Sequence, residues 1–162
     1  MSEPIEIETA AQATSPSGFM ALTFELHGER FAIEVSKVHE VIDPLPLTTV
    51  PNADPFAPGL INARGAVVPV IDLDHRLGMQ RQGQTPDTRF VVLETEFDDD
   101  QTKFAVIADS VHEVIEVQSD QIQSAPEIGM KWNPDYIRGI VQRPEGLLIF
   151  LNAHTIFHPN AA

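Results

Sequence analysis

FAIEVSKVHEVID at residues 31 to 43 and FAVIADSVHEVIE at residues 104 to 116 carry the fold of this chain. Aligned 73 residues apart, they share seven of thirteen positions, where unrelated segments of ordinary composition share about one. The match continues with small gaps. Leu47 and Pro51 answer to Ile122 and Pro126, Phe56 to Tyr136, Gly59-Leu60-Ile61 to Gly139-Ile140-Val141, and VVPVIDL (67 to 73) to LLIFLNA (147 to 153). Two copies of one module are the economical explanation. Val38, Val41, Ile42 and their counterparts Val111, Val114, Ile115 are β-branched, which favours strands over helices. Each module then holds around five short strands, the size of a small barrel. Barrels that small bury little apiece, so the two are expected to share an apolar seam.

His39-Glu40 and His112-Glu113 within these copies raise the question of a zinc hydrolase. That motif needs a second histidine four residues after the first, so that one helical turn offers both imidazoles to the metal. Asp43 and Glu116 occupy those places. Phosphoacceptor histidines sit on exposed helical faces, so His39 and His112 are expected to be strand-surface residues.

Composition excludes further classes. The 162 residues carry 10 Lys and Arg against 24 Asp and Glu, a formal charge of −14. Phosphate backbones and anionic lipid would be repelled, so neither nucleic-acid binding nor membrane-surface binding is expected. No cysteine is present, which removes disulfides, thiolate catalysis and Cys-ligated zinc. The acidic start MSEPIEIETA is unlike a signal peptide, and no apolar run approaches a membrane span, so no direct membrane insertion is expected.

Residues 1 to 17 lack aromatic residues and any apolar period, and are read as a flexible acidic tail. From Phe19, Met20, Leu22, Phe24 and Leu26 alternate with Ala21, Thr23 and Glu25, which is strand period, and His27-Gly28-Glu29 turns the chain into a second strand. Further strands are predicted at 38 to 42, 66 to 73, 90 to 96, 103 to 108, 111 to 117 and 147 to 152. Pro69 cannot donate to a ladder and is expected at a bulge or an edge. Helix is confined to turns after Asp54-Pro55 and Asn133-Pro134, around 73 to 77 ended by Gly78, and near 153 to 157.

His154 and His158, four apart, are the best metal pair, but no third ligand has diagnostic spacing; a metal-dependent enzyme built on them is the lesser alternative reading. Asp98-Asp99-Asp100 lacks the glycine and terminal glutamate of a calcium loop and reads as a solvated hairpin tip. No phosphate-cradling glycine loop or nucleophile elbow occurs. The segment from Gly59 to Leu73 is more informative: a hairpin with Asn62 and Gly65 near its turn carries Arg64, either as turn chemistry or as a recognition residue.

Taken together, I-N-x-R-G-x-x-x-P-V-I-D-L, preceded by F-x-I-x-V-x-x-V-x-E-V-I and P-x-x-x-P-x-x-x-G, resembles the CheW family of chemotaxis coupling proteins. The second half agrees through F-A-V-I-A-D-S-V, Pro126, Y-I-R-G-I and L-L-I-F-L-N, so the resemblance spans roughly residues 19 to 157. It implies an all-β fold of two five-stranded SH3-like barrels on a shared hydrophobic seam, with short helical turns. The CheW-like domain would cover 18 to 158, with barrels at approximately 18 to 82 and 83 to 158 and room for strand exchange between them. No catalysis, cofactor or metal is implied. The implied role is a scaffold joining the regulatory domain of a chemotaxis histidine kinase to the cytoplasmic tip of methyl-accepting chemoreceptors. The chain would then be cytoplasmic and recruited to receptor arrays at the inner membrane. A coupling protein of another chemosensory pathway, such as surface motility, is the alternative. By the same resemblance receptor contact falls to Val38, Glu40, Arg64 and Val111. The departures are Ala63, where a larger aliphatic residue is common, the acidic 98 to 100 hairpin, and the lack of a long C-terminal helix.

Overall fold

In the computed structural model, residues 18–81, 83–97, 99–124 and 133–157 are described. The expected tail at 1 to 17, together with Asp98, Pro126 and His158, lies outside them. Alternation in the opening segment produces a nine-residue strand, β1 (Gly18–Leu26), which turns through His27-Gly28 into β2 (Glu29–Glu34). A three-residue 3-10 turn leads to β3 (Val38–Ile42), followed by β4 (Thr48–Thr49), β5 (Gly59–Ala63) and β6 (Ala66–Ile71). Helix α1 (Leu73–Arg76) closes the first repeat. Its N-terminus is capped by Asp72, whose carboxylate accepts the His75 N–H at 3.1 Å.

The second repeat runs through the same elements. They are β7 (Arg89–Phe97), β8 (Asp100–Ala108), β9 (Ser110–Gln118), β10 (Ile122–Gln123), β11 (Ile137–Arg143), β12 (Gly146–Leu151) and α2 (Ala153–Ile156), the last capped by Asn152. A 3-10 turn follows Asn133-Pro134 as expected, while Asp54-Pro55 makes only a hydrogen-bonded turn. The β7–β8 hairpin closes at Phe97 opposite Asp100, so Asp99 and Asp100 of the acidic run lie at a hairpin tip.

The strands pair into two six-stranded sheets, β10-β11-β12-β2-β1-β9 and β4-β5-β6-β8-β7-β3. Written this way the orders correspond strand for strand, each being four strands of one repeat joined by the first two of the other. The repeats therefore trade their opening hairpins, and each hairpin is joined to the other repeat on both sides, by the parallel pairings β12 with β2 and β6 with β8 and by the antiparallel pairings β9 with β1 and β3 with β7. The count is six strands per sheet, rather than the five expected, because two-residue strands β4 and β10 also pair. They are too short for any period in the sequence to reveal.

Core packing follows from the exchange. One small cluster fills the first sheet, with Ala21, Ala32, Ile115, Val117, Val141, Leu148 and Phe150, and a second fills the other, around Ile61, Val68, Val70, Phe90 and Val92. The largest cluster lies between them and draws Leu22, Phe24, Phe31 and Ile33 together with Leu93, Phe104, Val106, Ile149 and Leu151. Adjacent residues of β12 thus face opposite apolar environments, Phe150 into one sheet's core and Leu151 into the seam. That is why LLIFL is apolar on both faces. Pro69 corrects its expectation. It lies on an interior strand, opposite Leu60, and the ladder to β8 is formed only at Val70 and Ile71, so no hydrogen bond to β8 is required of it.

Candidate functional site

Both VHEVI copies form edge strands, β3 in one sheet and β9 in the other. On β3 the register shifts between Val38, opposite Leu93, and Glu40, opposite Val92. A bulge of this kind re-aims side chains. Val38 turns into the seam and is 8 % exposed, His39 faces solvent, and Glu40 is half-buried.

The β5–β6 hairpin has a two-residue loop, Arg64-Gly65, flanked by the pair Ala63 and Ala66. Both loop residues have positive φ, 55° and 85°, which is the turn whose twist suits a hairpin, and the Asn62 side chain accepts the Gly65 N–H at 3.0 Å. Glycine takes such backbone freely, whereas a residue with a Cβ pays about 1–2 kcal/mol. Arg64 is held there with its side chain 81 % exposed, reaching Glu40 at 3.3 Å.

That ion pair also reports the shape of the sheet. Three strand steps separate β3 from β6, about 14 Å if the sheet were flat. The extended arginine and glutamate side chains cover most of that distance, and the 3.3 Å contact ties the hairpin tip to the opposite edge, in keeping with an SH3-like curl, although β3 and β4 at the two edges do not pair. As a solvent-facing pair it adds little stability, typically under about 1 kcal/mol, so its consequence is to fix a charged surface feature in place.

Val111 is half-buried and packs against the seam, like its counterpart Val38. The resemblance-derived residues thus divide in two: Glu40 and Arg64 are in direct contact, and Val38 and Val111 border the apolar seam. The second repeat does not reproduce the ion pair. Pro144 stands where Arg64 would be, Glu113 is exposed, and its backbone N–H and carbonyl are both bonded to the Thr23 hydroxyl at 3.0 and 2.8 Å. Sequence reasoning missed Val67, which is 70 % exposed three residues from Arg64, with its counterpart Leu147 58 % exposed at the other hairpin tip. In the run VVPVIDL the register alone separates exposed Val67 from buried Val68.

His39 and His112 are exposed on their strands, and His112 lies 3.0 Å from Glu25. Among the described residues no group of three or more His, Asp or Glu side chains is arranged to hold a metal. No helix among them is long and apolar enough to cross a membrane.

Comparison with known proteins gives consistent findings. The family model of the CheW-like domain matches residues 20–160. A chemotaxis protein CheW of Bacillus subtilis is 32% identical over 140 residues, covering 86% of this chain and 87% of its own. One from Treponema pallidum is 28% identical over 149 residues, covering 90% and 85%. The crystal structure of a CheW scaffolding protein from Thermoanaerobacter tengcongensis superposes with a TM-score of 0.77 at 29% identity, covering 93% of this chain and 94% of that one.

Proposed function

Because the chain belongs to the family of CheW-like domain proteins, we propose that it is a non-catalytic adaptor in chemosensory signalling, coupling methyl-accepting chemoreceptors to a chemotaxis histidine kinase. The observation that carries this reading is the family match over residues 20–160, supported by a solved relative that is itself a scaffolding protein. An adaptor needs rigid, correctly spaced surfaces instead of tuned acids and bases. Two rolled sheets locked through one seam supply those surfaces, and the edge-strand region can receive an amphipathic helix of the kind found at a receptor tip. Individually weak contacts gain strength when many are made at once, which suits an array at the inner membrane. The kinase regulatory domain would be the second partner. Glu40 and Arg64 are the proposed receptor-contacting pair, with Val38 and Val111 shaping the apolar ground beside them.

The test is co-sedimentation with receptor-containing membranes, with kinase capture read in parallel. Glu40→Lys and Arg64→Glu should each weaken receptor capture about tenfold, equivalent to about 1.4 kcal/mol, and leave kinase capture unchanged. Val38→Asp is uninformative here, because it would bury a carboxylate in the seam and unfold the chain. Unaltered receptor capture by both charge reversals would remove the assigned surface, and failure to capture either partner would remove the adaptor reading.

A further inference from the structure

The β1–β2 turn and α1 belong to different sheets, and between them lies a buried acid–base pair that the adaptor reading does not use. His27 sits in the turn at φ 52°, its N–H donated to the Asp109 carboxylate at 2.8 Å. Its Nε2 lies 3.4 Å from Oδ1 of Asp74 on α1. The side chains are 19% and 4% exposed, and neither of these two atoms makes a hydrogen bond. A buried carboxylate in that state depends on its proton far more than a surface one does.

We propose that His27 and Asp74 form a proton-dependent clasp between the exchanged β1–β2 hairpin and the helix of the opposite sheet, closed while the pair holds a proton and loosened once it is lost. The surrounding charges set the direction. Asp72, on the same helix, is committed to the helix cap, and Asp109, at the β8–β9 corner, to the His27 N–H, so both face Asp74 as carboxylates; the nearby Arg81 is the opposing guanidinium. Glu25, Asp87 and Asp109 line the open cleft beside His27, and Glu25 is paired there with His112. Burial first, and the two carboxylates after it, push the Asp74 carboxyl up to about 6, against the pull of His27 and Arg81. Near neutrality the deprotonated state therefore strains the joint.

The second repeat is an internal contrast. His154 stands where Asp74 would be, and it is exposed.

The test is NMR on the full chain between pH 5 and 8, following the Asp74 carboxyl carbon and the Gly28 and Glu29 amides, with hydrogen exchange corrected for intrinsic rate. Expected are one shared midpoint near pH 6 and an opening of the turn that rises about tenfold from pH 5 to 8, as linkage requires for a carboxyl moving between 3.8 and about 6. Asp74→Asn and His27→Gln should each abolish the midpoint at Gly28 while leaving the rest of the spectrum in place. A carboxyl titrating in the ordinary range, turn amides with no shared midpoint, or variants that keep it would each overturn the clasp. The wild-type titration decides the matter even where a variant fails to fold.

Discussion

Arg64 occupies backbone that glycine would take without cost, so the receptor contact proposed for its side chain can be separated from its effect on stability. Arg64→Gly is expected to leave stability unchanged or raise it by up to about 1 kcal/mol in denaturant unfolding, while receptor capture falls. A loss of stability without loss of capture would return Arg64 to turn chemistry alone. Asp74 is the opposite case, a residue whose ionisation works against the fold. Its folded pKa, about 6, lies above the 3.8 of the unfolded chain, so the folded state binds the proton more tightly. The resulting stability is present below about pH 4 and is lost as pH rises through 6. Asp74→Asn should therefore stabilise the chain at pH 8, by at most about 3 kcal/mol, and give no such gain at pH 3.5, as thermal unfolding at the two pH values would show. The turn that carries Arg64 was legible in the sequence because Asn62 and Gly65 mark it. The burial of Val38 was not, since the bulge shifts alternation by one residue. Nor was that of Asp74, which reads as an ordinary polar position on a short helix.

At the scale of elements, the strands with strong alternation and the two capped helices could be read directly, whereas β11 was not among the strands predicted and the two-residue β4 and β10 could not be. Two residues carry no period. The trace they leave is a glycine on the partner strand: a Cβ on Gly59 would stand 2.6 Å from the Thr48 carbonyl oxygen, and one on Gly139 would stand 2.7 Å from that of Gln123. Both positions lie in the repeat match, but a glycine in a sequence does not say whether it serves a turn or a close approach. Gly139→Ala is expected to destabilise by about 1–3 kcal/mol, because backbone and the Ile122 side chain must give way. Gly65→Ala meets open space and should cost only the strain of positive φ, about 1–2 kcal/mol. Chemical denaturation of the two variants compares these terms, and an unaffected Gly139→Ala would mean that β10 is not held against β11.

For the whole molecule, the repeat established that two equivalent modules exist but could not say which sheet each strand joins, because exchanged and unexchanged arrangements bury the same faces. Connection length decides it. One residue, Asp109, separates β8 from β9, and a hairpin needs about two, so β9 cannot fold back on β8 and passes into the other sheet. Between β2 and β3 the three residues from Val35 to Lys37 would be long enough for a hairpin, but they form a 3-10 turn that carries β3 into the other sheet. A cut between residues 82 and 83 then divides both sheets: the first half keeps β3 and β6 without the β7 and β8 that lie between them, and the second keeps β9 and β12 without β1 and β2. Each half would also expose its share of the seam, Phe24 and Phe31 in one, Leu93 and Phe104 in the other. Fragments 18–82 and 83–158 are accordingly expected to be unfolded alone, by circular dichroism and amide dispersion, and to recover the native spectrum when mixed in equal amounts. A single half that gave a dispersed monomeric spectrum would show that the repeats fold independently, and exchange would then be a docking step between finished modules. Failure of the mixed halves to recover the spectrum would mean that the covalent link between α1 and β7 is needed to bring the opening hairpin of each repeat to the other.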